Sequence, residues 1–320
     1  MVGETSPNCV VVLGPTATGK TGLAVRLARR FSGEIISADS RQVYRGLDIG
    51  SGKDLAEYGD VPYHLIDVTD LRSEYSVFNF QRDFRAAFDD ISARGKLPII
   101  AGGTGMYLDA VIRGYEMIEV PVNERLRSEL EDLSIDELAA RLTALKEDIH
   151  NKTDLIERPR LIRAIEIAER KRELAAMTAG PDAAGADAAG ADAAEPCDIR
   201  PLILGVRFPR AELRARIRAR LEARMTEGLV EEVRSLHEAG ASWERLERLG
   251  LEYRHAAEFL QGKISSEREF VEALYVAIGQ FAKRQETWFR GMERKGVEIH
   301  WIDSGDPAKA ESLVSSYFSF

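Results

Sequence analysis

The chain has 320 residues, 44% of them apolar, and carries 44 Lys and Arg against 53 Asp and Glu, a net charge of −9. It can therefore bury the core of one large domain with a sizeable insertion, or of two domains, and it does not hold nucleic acid by bulk charge, although a groove needs only local positive charge. Two isolated cysteines, Cys9 and Cys197, build neither a disulfide framework nor a zinc site, and no apolar stretch approaches the roughly 20 residues that span a bilayer.

The N-terminal segment lacks a basic region, and its short apolar run reads as a strand and not as a signal peptide, so a cytoplasmic protein is expected. CVVVLG predicts a first strand that runs into the glycine-rich turn GPTATGKT. A helix follows from about Thr21 to Arg30, with Leu23, Leu27 and Phe31 near helical spacing. GEIISADS predicts a second strand with a polar end, YHLIDV a third, Phe78 to Arg94 a helix, and KLPIIAGGTG a buried strand opening into glycines. Strands that alternate with helices predict a mostly parallel sheet covered on both faces.

Residues 115 to about 176 are charged and helical without strands, and Pro159 suits the first turn of the helix ERPRLIRAIEIAERKRE. The repeated AGADA units that follow can bury little and read as a linker or loop. PLILGVRF predicts a further strand, an arginine-rich helix begins near Pro209, helices continue to about Arg294, and EIHWID closes the pattern as a strand. The expected organisation is an α/β core begun by residues 1–114, a helical insertion at 115–196, and a core completion with helices at 197–320.

Gly14, Pro15, Thr16, Ala17, Thr18, Gly19, Lys20 and Thr21 match the P-loop pattern in the strand–helix context it needs. Glycines let backbone N–H groups turn inward around phosphate oxygens, and the helix N-terminus adds its positive end. Lys20 supplies a point charge, and the Thr21 hydroxyl can bind Mg²⁺. Asp39 stands 19 residues after Lys20 at the carboxyl end of the second strand, where ligands of open α/β sheets collect. It can hold a substrate hydroxyl in a small-molecule kinase, accept a proton from an attacking amine, or simply cap a turn.

The stretch ISADSRQVYRGLDIGSGK, with an Asp-Ser pair before Gln-Val-Tyr, resembles the signature that follows the P-loop in tRNA dimethylallyltransferases. Gly102 to Tyr107, Arg160 to Glu166, Arg216 to Val233, and Phe281 to Gln285 with Thr287 and Trp288 resemble the family's later motifs. They run in order over about residues 10 to 303, with only the AGADA stretch outside them.

The resemblance implies a P-loop nucleoside-triphosphate-hydrolase-like α/β core and an enzyme that moves a dimethylallyl group from dimethylallyl diphosphate to N6 of adenosine 37 in tRNAs reading codons that start with U. The products would be N6-isopentenyladenosine and pyrophosphate. The P-loop would hold the diphosphate with Mg²⁺, and Arg220 would add a bidentate phosphate contact. Asp39 would be the general base and Thr104 would hold the adenine or its amine. The target base must be unstacked to reach the diphosphate. Contacts to tRNA are implied at Asp39, Ser40, Arg41, Gln42, Arg127, Arg160, Arg163, Tyr253, Arg254, Gln280, Lys283, Arg284 and Gln285.

Seven arginines lie between Arg207 and Arg224, with Arg216, Arg220 and Arg224 in one stripe beside Leu213, Ile217, Leu221 and Met225. That stripe reads as an RNA grip or as a solvated face. Gln280, Arg284 and Trp288 share a helical face that suits a splayed RNA loop. The partners expected are tRNA and dimethylallyl diphosphate, with no membrane or protein partner, for a monomer that leaves an open channel to RNA. Two other readings use the same loop: a P-loop kinase of a small hydroxylated metabolite, and an RNA-binding protein with a vestigial loop. The kinase requires neither the arginine-rich helix nor the Lys283-Arg284-Gln285 and Trp288 segment, and the intact Gly14, Gly19, Lys20 and Thr21 speak against a vestigial loop.

Overall fold

A computed structural model describes residues 6–115, 118–145, 157–178 and 198–318. The AGADA stretch lies outside the described residues. The chain divides into two compact units, Met1–Tyr115 with Pro196–Phe320, and Glu116–Glu195.

The first unit is built on a six-stranded, all-parallel sheet. β1 (Cys9–Leu13) is apolar throughout and buried at every residue, as a central parallel strand must be when helices cover both faces. Because side chains alternate across a strand, Val10 and Val12 join one core while Cys9, Val11 and Leu13 join the other. α1 (Lys20–Arg30) leads away from β1, and β2 (Gly33–Ser37) returns. A one-turn 3₁₀ helix (Leu55–Glu57) precedes β3 (Tyr63–His64).

β3 is shorter than the YHLIDV run predicts. Leu65 and Asp67 have φ of 62° and 57°, and extended pairing ends where the backbone turns left-handed. α2 (Val77–Ala93) starts with a Ser76–Asn79 capping box and buries Phe80, Phe84, Phe88 and Ile91 along one face. β4 (Leu97–Gly102) and α3 (Gly105–Ile112) follow, and Phe80 stacks on Tyr107 with ring centroids 4.1 Å apart.

The second unit contains α4 (Glu124–Leu130), α5 (Ile135–Leu145) and α6 (Arg158–Thr178). Leu126, Leu130, Leu138, Leu142, Leu161 and Ile165 form its own small core. The chain then rejoins the first unit through β5 (Pro201–Arg207) and α7 (Arg210–Glu227). Gly228, at φ 101°, ends that helix and turns into α8 (Leu229–Glu238). Short α9 (Trp243–Glu247), α10 (Leu251–Leu260) and long α11 (Glu267–Arg294) complete a helical layer.

β6 (His300–Asp303) closes the sheet and α12 (Pro307–Tyr317) covers it. The sequence reading stops at β6 and misses α12, although Asp306 caps the helix through Ala308 N–H and Pro307 occupies its first turn.

The strand order is β3-β2-β4-β1-β5-β6. α1 and α12 cover one face, while α2, α3 and part of α11 cover the other. A third core gathers Val43, Tyr44 and Leu47 with apolar residues of α7, α8, α10 and α11. The loops after β1, β2 and β4 leave the carboxyl edge of the sheet side by side, where parallel α/β proteins bind ligands. Among the described residues, no helix is long and apolar enough to cross a membrane.

Candidate active site

The loop between β1 and α1 has the backbone that a phosphate cradle needs. Gly14 has φ 155° and Gly19 φ 77°, and even Ala17 is left-handed at φ 61°. A Cβ at Gly14 would stand 2.5 Å from the carbonyl oxygen of Val206, so β5 presses directly on the loop. The Thr18 hydroxyl and Lys20 Nζ both donate to the Pro15 carbonyl at 2.8 Å, folding the loop back on itself. Thr21 lies in the first turn of α1, at the positive end of the helix.

Asp39 and Ser40 follow β2, and Thr104 follows β4. One oxygen of Asp39, Oδ1, accepts Arg41 N–H at 2.8 Å and so shapes the turn as an Asx cap would. Thr104 Oγ1 accepts Ser40 N–H at 3.1 Å, which ties the two loops together. Gly102 lets them approach this closely, because a Cβ there would overlap the Ala38 carbonyl. Phosphate loop, acid and hydroxyl thus gather at one edge of the sheet.

Arg216, Arg220 and Arg224 come from one stripe of α7, and each reaches a backbone carbonyl of the first unit. Arg216 Nε donates to Ala17 O at 2.8 Å, Arg220 Nη2 to Gly52 O at 3.5 Å, and Arg224 Nη1 to Gly50 O at 3.3 Å. The stripe is thus engaged within the protein, with Arg216 still exposed and Arg220 partly covered. Its guanidinium groups brace the phosphate loop and the 48–53 loop. Arg224 is buried, whereas Met225, expected in the buried stripe, is only partly covered. The sequence reading assigns no phosphate-loop role to Arg216. Its i, i+4 spacing with Arg220 was the available signal.

The cations crowd one another. Burial and the Arg220 charge together lower the Lys20 pKa to about 8, with Asp39 opposing them. Burial and Arg224 likewise disfavour the Arg220 charge, which Asp54 offsets through an ion pair at 3.0 Å. An anion placed beside Lys20 and Arg220 would relieve both.

The residues expected to meet RNA divide into two sets. Arg41 and Ser40 are partly exposed, and Arg254, Gln280, Lys283 and Arg284 are exposed. Gln42, Tyr253 and Gln285 are buried and their polar atoms are engaged within the protein. Gln42 accepts from Ser37 Oγ at 2.8 Å and donates to Gly52 O at 3.0 Å. Tyr253 OH accepts Ser51 N–H at 3.1 Å and donates to Glu232 at 2.8 Å. Glu232 in turn accepts three successive N–H groups, from Asp48, Ile49 and Gly50, so the 48–53 loop is held along its length. Nothing in the local pattern LVEEV marks Glu232 for this role.

In the second unit, Arg127 and Arg163 converge on Glu166, whose side chain is fully buried. Burial pushes that carboxyl upward, but hydrogen bonds from Arg127, Arg163 and Asn123 N–H outweigh it and hold the pKa below the usual range. Arg160 is more open, and among the described residues it pairs with Glu157 one turn earlier.

Fold and loop together define the class: a parallel α/β protein with a P-loop-like fold, whose glycine-rich strand–helix loop is ringed by a lysine, arginines and an acid. A model of the IPP transferase family matches residues 42–292, and an isopentenyl transferase model matches residues 7–58. The chain belongs to the IPP transferase family, the one its motifs resemble.

It is 58% identical over 295 residues to tRNA dimethylallyltransferase 2 of Treponema denticola, covering 92% of this chain and 95% of that protein. It is 55% identical over 321 residues to tRNA dimethylallyltransferase 2 of Trichlorobacter lovleyi, covering 100% of both. Among solved structures, the tRNA isopentenylpyrophosphate transferase of Bacillus halodurans superposes with TM-score 0.67 at 28% identity, over 97% of this chain and 96% of that one. A eukaryotic dimethylallyltransferase acting on tRNA superposes with TM-score 0.75 at 25% identity, over 97% of this chain and 77% of that one.

Proposed function

We propose that this enzyme is a tRNA dimethylallyltransferase that transfers the dimethylallyl group of dimethylallyl diphosphate to N6 of adenosine 37, in tRNAs reading codons that begin with U. The observation that carries the reading is the meeting of phosphate loop, Asp39, Thr104 and Arg220 at one sheet edge, in a chain of the IPP transferase family.

The chemistry divides between two ends of the allyl carbon. The exocyclic amine is a weak nucleophile because its lone pair is delocalised into the ring. As N6 forms its bond to the first allyl carbon, the carbon–oxygen bond to the diphosphate breaks and the electron pair leaves with pyrophosphate. Lys20, Arg220 and the loop N–H groups lie where that charge develops, which is where stabilisation speeds the step. Asp39 accepts the proton released by the amine. Among the described residues, no other hydrogen bond engages its carboxylate beyond Arg41 N–H at 2.8 Å. The Thr104 hydroxyl, fixed by Ser40, orients the adenine.

The donors at hand also fit Mg²⁺. Thr21 and Asp39 offer hard oxygens, and among the described residues no His, Cys, Asp and Glu cluster offers an all-protein cage. Mg²⁺ commonly takes one or two protein oxygens and completes its shell with phosphate and water. Thr21 would hold it beside the diphosphate, where it supplies positive charge to the leaving group.

The tRNA surface consists of the exposed Gln280, Lys283 and Arg284 on α11, with Trp288 beside them, and Ser40, Arg41 and Arg254 near the site. Trp288 is 37% exposed and packs its indole over Gly105, in reach of a base that stacks on it. Of Arg127, Arg160 and Arg163 in the second unit, Arg160 is the most open to RNA. A monomer in the cytoplasm belongs to the same reading.

The test incubates the protein with bulk tRNA, Mg²⁺ and labelled dimethylallyl diphosphate, then digests the RNA for nucleoside mass analysis. Isopentenyladenosine formed without ATP, and absent with Lys20→Ala, is the expected result. No transfer, with ATP hydrolysis stimulated by a small hydroxylated metabolite, would replace the reading by a kinase.

A further inference from the structure

The side chain of Gln285 lies where two loops of the site meet. It projects from α11, is only 7% exposed, and bridges the loop after β1 to the loop after β4. Its Oε1 accepts the Thr16 N–H at 2.9 Å, and its Nε2 donates to the Gly103 carbonyl at 2.7 Å. A Cβ at Gly103 would stand 2.5 Å from Gln285 Nε2, 3.5 Å from Gly14 O and 3.6 Å from Lys20 Nζ. The amide, the phosphate loop, the glycine pair and Lys20 therefore share one small volume.

Resting on the transferase reading, we infer that Gln285 is a positioning residue of the diphosphate site and not an RNA contact. Thr16 belongs to the loop whose N–H groups receive phosphate. A cradle of backbone donors is only as selective as its curvature is fixed, and preorganised donors stabilise developing charge because they need not reorganise. Gln285 fixes the Thr16 end of that curve against the Gly103 backbone. At neutral pH a primary amide presents both an acceptor and a donor on one planar group of this size. Leucine supplies neither, and an ionised carboxylate cannot donate.

The same helix explains why the residue reads as an RNA contact in sequence. Lys283 and Arg284 are exposed, and Gln285 lies about 100° further round the helix. That rotation turns it from the solvent face into the sheet edge. α11 thus presents one face to solvent and grips the phosphate loop with another.

The experiment compares Gln285→Leu and Gln285→Glu with the unmodified protein. It measures KM for dimethylallyl diphosphate, affinity for Mg²⁺-pyrophosphate by calorimetry, and Kd for tRNA. Gln285→Leu should raise that KM and weaken pyrophosphate binding by about ten- to thirty-fold, as expected for two lost buried hydrogen bonds. Its Kd for tRNA should stay within about two-fold, since the side chain is buried, and normal tRNA binding reports that the variant is folded. Gln285→Glu should be worse above neutral pH and recover on acidification, because a protonated carboxyl restores both the donor and the acceptor.

A rise in Kd for tRNA with unchanged pyrophosphate affinity would make Gln285 an RNA contact and overturn the inference. Unchanged values throughout would overturn it equally. The pyrophosphate arm needs no turnover, so it decides the role of Gln285 even if the unmodified protein transfers no prenyl group. If Gln285→Leu does not fold, the pH-dependent recovery of Gln285→Glu carries the test.

Discussion

Lys20 should lose its charge near pH 8 in the ligand-free enzyme, and diphosphate binding should fall with it. Three causes set that value: burial of the ammonium and repulsion by Arg220 lower it from 10.5 to about 8, and attraction to Asp39 offsets part of the fall. At pH 9 only about one-tenth of the lysine would be charged, so affinity for Mg²⁺-pyrophosphate should drop about ten-fold per unit above pH 8 until the weaker binding of the neutral form sets a floor. Calorimetry from pH 7 to 10 would read this, and carbon NMR of labelled lysine ε-carbons would place the inflection independently. Arg220→Gln removes the repelling charge and should move the inflection upward, and Asp39→Asn should move it downward.

The effect on stability has the opposite sign. The folded pKa lies below the unfolded value, so the unfolded chain binds more protons between about pH 8 and 10.5 and Lys20 contributes more stability as pH rises through that window. An affinity that stays flat to pH 10, with no lysine signal titrating near 8, would refute the reasoning.

Three further outcomes are expected. Asp39→Ala should slow prenyl transfer by several hundred-fold or more, within the range of about 10² to 10⁴ for a general base, while Kd for tRNA stays near normal; unchanged turnover would remove Asp39 from the mechanism. Gly52→Ala places a Cβ against the guanidinium groups of Arg220 and Arg224 at a backbone φ of 63°. It should cost about 1 kcal/mol in strain and raise KM for dimethylallyl diphosphate about ten-fold, with normal kinetics excluding a role for this loop in setting Arg220. Glu166→Ala removes the shared partner of Arg127 and Arg163. It should destabilise the second unit by about 1–3 kcal/mol, read as faster hydrogen exchange in α4 to α6 with the sheet unaffected. Protection factors in the same helices should fall in the unmodified protein as pH drops through the depressed pKa of Glu166, since a lowered acid loses its contribution on protonation.

Local chemistry made much of this protein legible from its sequence. An unbroken apolar run can only be a doubly covered strand or a buried helix, and five residues of CVVVL ending in glycine choose the strand. The phosphate loop, Asp39 at the end of β2 and Thr104 after β4 follow from that alternation, because a parallel sheet sends the carboxyl ends of its strands to one edge. α12 was also legible, in the Asp306–Pro307 start signal, and passed over.

What the sequence could not decide was which way each helix turns. Spacing shows that Arg216, Arg220 and Arg224 share a face of α7, but not that the face meets the phosphate loop and the 48–53 loop. It groups Lys283, Arg284 and Gln285 as polar neighbours on α11, yet the third is buried and holds Thr16. Gln42 and Tyr253 likewise have their polar atoms taken up by Gly52, Ser51 and Glu232, partners up to 202 residues away. Periodicity depends only on 3.6 residues per turn, whereas burial depends on which distant segments pack against the helix, and that is set by the whole fold.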